Sequence, residues 1–132
     1  MAWVVDTSVL LDIYLGDPTF GERSGRCLAR HLPDGLVVCP VSYVELAPAF
    51  NGDSGLQQAF LQEAGVDWLQ PWTMLDTAAS YQLWADHIAR RRAGQGSKRP
   101  VADILIEGFA QRFQGIITRN QKHFRSVATV VP

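Results

Sequence analysis

Residues 1–16, MAWVVDTSVLLDIYLG, decide how the rest of this chain is read. Trp3, Val4 and Val5 form an apolar run with no polar break. That is the pattern of a strand buried on both faces, as in a parallel sheet covered by helices. Asp6 follows at once. From Thr7 onward the apolar positions Val9, Leu10, Ile13 and Tyr14 take helical spacing. Thr7 or Ser8 is available as a cap, and Gly16-Asp17-Pro18 as a stop. A carboxylate where a buried strand gives way to a helix lies at the mouth of the sheet, the place where sites form in open α/β folds.

The same alternation continues outward. Residues 20–32 read as a second helix with Cys27, Leu28 and His31 on one stripe. After the Pro33-Asp34-Gly35 turn, residues 36–39 (LVVC) read as a buried strand. A helix starts at Pro40-Val41-Ser42 and runs through Leu46 and Ala47, where Pro48 ends or kinks it. Residues 55–64 are helical by composition, residues 66–69 (VDWL) read as a third strand, and a long helix spans about 74–92. Gly94-Gln95-Gly96-Ser97 is the most flexible stretch by composition. A helix over 101–113 follows Pro100, residues 115–118 (GIIT) form a fourth strand, 120–125 a helical turn, and 127–131 a last strand. Buried strands alternating with helices predict a three-layer α/β/α architecture around a central parallel sheet of four to five strands, as a single domain over 1–132.

Composition sets the outer bounds. The chain has 132 residues, 47% hydrophobic and 19% charged, with a formal net charge of −1. No apolar run reaches the ~18 residues of a membrane span, and the start lacks the basic and apolar regions of a signal peptide. Cys27 and Cys39 sit in no metal-binding spacing and in apolar surroundings, so they read as reduced core thiols of a cytoplasmic protein, with a single disulfide as the alternative. Charge is unevenly spread: residues 1–88 hold 3 basic and 11 acidic side chains, and residues 89–132 hold 9 and 2. Either the second half presents a surface to a phosphate-rich partner, or the folded chain interleaves the halves and cancels them.

Acids recur at comparable positions. Asp6 ends the first strand; Glu45 lies one turn into the helix after the second; Asp103 lies in the first turn of the helix after the flexible loop; Thr118-Arg119-Asn120 ends the fourth strand. Glu45 and Asp103 are embedded in apolar sequence, VSYVEL and VADILI. Any one of them has an ordinary explanation as a helix-dipole or capping residue, worth ~0.3–1 kcal/mol. Together they suggest carboxylates converging at one end of the sheet.

Four stretches, VVDTSVLLDIYLG, PVSYVELA, VADILIEGFAQ and GIITRNQKHF, occur in that order over nearly the whole chain. In this order and spacing they resemble the PIN-domain nucleases, and more narrowly the VapC-like ribonucleases that act as toxins of type II toxin–antitoxin pairs. The resemblance implies a metal-dependent endoribonuclease using Mg²⁺ or Mn²⁺. Asp6, Glu45 and Asp103 would be the metal-site acids, with Asn120 at a fourth position where the family usually has Asp. Ser8, Thr7 and Thr118 would be hydroxyl supporters. It also implies an RNA substrate, a cognate antitoxin that wraps the toxin, and a homodimer. Exposed apolar residues on helices 20–32 and 55–64 would suit the antitoxin.

The remaining residues divide. Arg119, Arg92, Lys98 and Arg99 are candidates for RNA phosphate contacts, although a run of arginines ending a helix also suits the helix dipole. His123-Phe124 reads as packing for the last helical turn, His31 and His87 as helix-surface residues, and Trp68, Trp72 and Trp84 as core or interface. Two rivals stand beside the nuclease. A haloacid-dehalogenase-type phosphotransferase needs Asp-x-Asp after the first strand, and position 8 is Ser. A catalytically weak or inactive RNA- or protein-binding module of the same fold is the alternative that Asn120 keeps open.

Overall fold

The computed structural model describes residues 1–132. Five strands, β1 (Trp3–Val5), β2 (Leu36–Val37), β3 (Val66–Asp67), β4 (Gly115–Ile117) and β5 (Thr129–Val130), form one sheet in the order β3-β2-β1-β4-β5. Every pairing is parallel. Six helices surround it: α1 (Thr7–Tyr14), α2 (Gly21–His31), α3 (Pro40–Glu45), α4 (Ser54–Glu63), α5 (Met74–Arg92) and α6 (Val101–Ala110). None is long and apolar enough to cross a membrane.

The pleat explains the layers. Alternate residues of a strand face opposite sides. Trp3, Val5, Leu36 and Ile117 join one core with Val9, Leu10, Cys27, Leu28, Phe50 and Leu61, which places α1, α2 and α4 on that side. Val4, Val37 and Ile116 join the other core with Ile106, Phe109 and Ala110 of α6, against which α5 packs. Gly108 allows that close approach: a Cβ there would run into Ser80 of α5, 2.9 Å from its backbone nitrogen.

Element boundaries depart from the sequence reading where side chains turn the chain. The strand expected over 66–69 stops at Asp67, whose carboxylate accepts from the Leu69 N–H and the Gln70 amide. The strands expected over 36–39 and 127–131 shorten to Leu36–Val37 and Thr129–Val130, and the helix expected over 101–113 ends at Ala110. Neither Thr7 nor Ser8 caps α1. The N-cap position is Asp6, without a side-chain cap bond, and the two hydroxyls are used elsewhere. His87 is buried rather than on the helix surface. That burial, with Arg99, Arg91 and Arg90 nearby, holds its pKa below the ordinary histidine value. Cys27 and Cys39 are free buried thiols, and burial pushes Cys39 up to about 11.

Candidate active site

With all strands parallel, their carboxyl ends share one edge. The chain leaves β1 for β2 and β3 on one side and β4 and β5 on the other, so the switch point falls between β1 and β4. Asp6 and Thr118 follow these two strands, and the Asp6 N–H donates to the Ile117 carbonyl at 3.0 Å.

Asp6 is 5% exposed. Its Oδ2 accepts from the Thr118 hydroxyl at 2.7 Å and from the Ser8 hydroxyl at 3.2 Å. Thr118 is oriented in turn by the Asn120 N–H, which donates to its Oγ1 at 2.9 Å. Asp103, in the first turn of α6, lies near enough for its charge to act on Asp6. Burial raises the Asp6 pKa first; Thr118 opposes, and the Asp103 charge raises it further. Asp103 Oδ2 takes a hydrogen bond from His123 Nδ1 at 2.7 Å, drawn as the Nδ1–H tautomer. His123 is therefore a site residue and not mere packing. Glu45, exposed at the end of α3, accepts the Thr7 hydroxyl on Oε1 at 2.8 Å. The other oxygen of each acid, Asp6 Oδ1, Asp103 Oδ1 and Glu45 Oε2, accepts no side-chain hydrogen bond.

The buried acids divide into two kinds. Asp12 is gripped by the Arg119 fork at 2.6 and 3.0 Å. Asp76 is held by Arg112 at 2.9 and 3.3 Å. Glu107 pairs with Arg99 at 2.8 Å and accepts the Ser126 N–H and hydroxyl. Asp6, as deeply buried as Asp12, is held by the Thr118 and Ser8 hydroxyls and the Thr7 backbone, with no arginine and with the Asp103 charge acting on it. A buried carboxylate normally requires a counter-charge, so this is where a cation fits. The donors are all oxygens, the set a hard divalent ion takes. No three His, Cys, Asp or Glu side chains converge closely enough to hold one ion together. Asp6 and Asp103 are the near pair, and Glu45 joins their neighbourhood through Thr7.

Two of the four basic residues named for phosphate contacts are already paired within the fold. Arg119 and Arg99 were expected to be free for phosphate, but each is committed to a buried acid of a neighbouring element, and Arg119 also lies 4.1 Å over the Phe20 ring. Arg92 and Lys98 are exposed, as is Asn120. The sequence reading missed Asp12, Glu107 and His123. Asp12 and Glu107 carried the signal that singled out Asp103, an acid inside apolar helical sequence (VLLDIY, LIEGFA).

Comparison with protein-family models matches the PIN domain over residues 3–130. No curated protein matches the chain. PIN-domain proteins are generally nucleases, that is hydrolases, and generally use divalent metal ions. The matched span starts on the first residue of β1 and stops on the last of β5, so it takes in the whole sheet and every site residue: the chain belongs to the PIN domain family.

Proposed function

We propose that the chain is a Mg²⁺- or Mn²⁺-dependent endoribonuclease and the toxin of a toxin–antitoxin pair, similar to VapC-like ribonucleases. The observation that carries the nuclease reading is Asp6, the buried acid with no arginine and with Asp103 beside it. Asp6 and Asp103 would hold the ion, with Glu45 at the rim. Such an ion supplies charge neutralisation, a more acidic water and stabilisation of the leaving oxygen. The chain's own residues do the positioning. Thr118 and Ser8 lock one Asp6 oxygen and leave the other for the ion. His123 fixes the Asp103 carboxylate, and Thr7 fixes Glu45. Asn120, exposed beside Thr118, offers an uncharged amide to a phosphoryl oxygen.

The toxin role, the antitoxin and the homodimer rest on the resemblance. An apolar stripe on α5, with Met74, Tyr81 and Trp84 exposed, supports a second copy as a partner. The outer face of α2 is mostly polar, with Glu22, Arg23, Arg26, Ala29 and Arg30 exposed. Asn120 favours the second reading, a weak or inactive binding module, because it brings no charge to the fourth position.

Purified protein incubated with total cellular RNA and Mg²⁺, Mn²⁺ or EDTA, beside Asp6→Ala and Asp103→Ala, separates the readings. Discrete metal-dependent fragments, lost in both variants, are expected. No cleavage by folded protein with either metal would leave the binding module.

A further inference from the structure

The first 88 residues contain only three basic side chains, Arg23, Arg26 and Arg30. All three lie on α2 at i, i+3 and i+7, one stripe of the helix. Ser24, Cys27 and Leu28 form the buried face, so the arginine row points outward and is exposed. Together with Ala29 and Pro132 it lines an open groove of about 470 Å³.

Little in the fold accounts for this row. Arg30 stands in the last turn of α2, where the helix dipole favours a cation, but Arg23 stands in the first turn, where it does not. Arg26 has one exposed partner, Glu22 at 3.1 Å, in a pair of the kind that contributes little. Arg23 makes only a long bond, 3.5 Å, to the Pro132 carbonyl. The fold's other arginine–acid pairs sink the acid to near-complete burial; here the guanidinium groups face solvent.

The row is also connected to the site. Thr118, which holds Asp6, precedes Arg119, whose guanidinium lies 4.1 Å over the Phe20 ring. Arg23 lies 5.9 Å from the same ring. Side-chain contacts therefore link the Asp6 site to α2 through Arg119 and Phe20, with the Arg119 charge itself held by Asp12. At 1.5 Å rise per residue the three arginines span about 10 Å, long enough to meet more than one phosphate of a strand.

We propose that Arg23, Arg26 and Arg30 form a track for the phosphate backbone of the RNA strand whose scissile bond sits at Asp6. This rests on the nuclease reading above and adds where the substrate runs.

The test measures binding and cleavage separately. A fluorescein-labelled 12-nucleotide single-stranded RNA is titrated with protein in EDTA at several NaCl concentrations. The variants are Arg26→Gln/Arg30→Gln and a control of equal charge change on α4, Ser54→Glu/Gln62→Glu, at two exposed positions. The arginine variant is expected to weaken binding about fivefold or more at 0.1 M NaCl. Its log–log salt slope should flatten by about 1.4, two phosphates at ~0.7 each. The control should change affinity less than twofold. Equal losses in both variants would mean net charge alone and overturn the track, as would no loss in either. If the arginine variant keeps RNA affinity but loses binding to a polyglutamate peptide, the row is a protein-docking surface and the proposal falls. Cleavage by the unaltered protein with Mn²⁺ is scored in parallel, so a failed nuclease reading is seen independently of the track.

Discussion

At the scale of single residues, Asp6 and its neighbours work against folding. Burial and the Asp103 charge both favour the protonated form, so the Asp6 pKa is raised in the fold above its ordinary 3.8. The stability this group contributes is full below pH 3.8 and is lost as pH rises through the folded value. In EDTA, Asp6→Asn should therefore melt a few degrees above the unaltered protein at pH 7, on the scale of ~1 kcal/mol for a domain of this size. The gap should close toward pH 4. Calorimetry from pH 4 to 8 reads it directly; a variant that melts lower at pH 7 would show that Asp6 is not strained. Added Mn²⁺ should raise the melting temperature of the unaltered protein, through ligand binding to the native state, and leave Asp6→Asn unmoved. The hydroxyls of Ser8, Thr7 and Thr118 are named as site residues only by the resemblance, whereas Asp6, Asp103 and Glu45 stand out in the sequence by position. Asp12 and Glu107 were not separable from them, because an acid in an apolar helix looks the same whether a site or an arginine faces it. Only the fold brings Arg119 to Asp12 and Arg99 to Glu107.

Between elements, two contacts hold α5 against α6. Arg112, after α6, reaches Asp76 at the start of α5, donates to the Pro71 carbonyl at 2.7 Å, and lies over the Phe109 and Phe113 rings at 4.8 and 4.6 Å. Asp76 also completes a capping box with Thr73. Arg112→Met would leave the buried Asp76 charge without its partner, and a loss of about 3 kcal/mol is expected in urea denaturation. Gly108→Ala should cost roughly 1–3 kcal/mol by the same measurement, since the added methyl must push α5 from α6. A neutral result would mean that the two helices separate freely. Helix and strand order was readable from apolar periodicity, but the ends were not. Asp67 stops β3 with side-chain bonds to Leu69 and Gln70, and Thr7 and Ser8 turn toward acids instead of capping α1.

For the whole molecule, the uneven charge is cancelled in part by interleaving of the two halves. Asp12 pairs with Arg119 and Asp76 with Arg112, so acids of the first half are matched by arginines of the second. The exposed arginines of α2 are left over, on the acidic half of the chain. Surface association belongs to this scale too. The exposed Tyr81, with Trp84 and Ile88, lines an open apolar groove on α5. If a second copy covers it, Tyr81→Glu should shift sedimentation from dimer to monomer without lowering the melting temperature of the monomer. A monomer at all concentrations in the unaltered protein would reject that face as a homodimer contact.

Periodicity and punctuation by themselves determined the parallel sheet, its helices and an acid at the end of β1, because strand burial and helix spacing are local patterns that survive in one dimension. The tertiary structure alone decided which acids lack a counter-charge, that His123 meets Asp103, and that Arg119 and Arg99 are already engaged. Those outcomes depend on which side chains meet across 8 to 112 positions of sequence, and a buried charge is defined by whatever the fold places next to it.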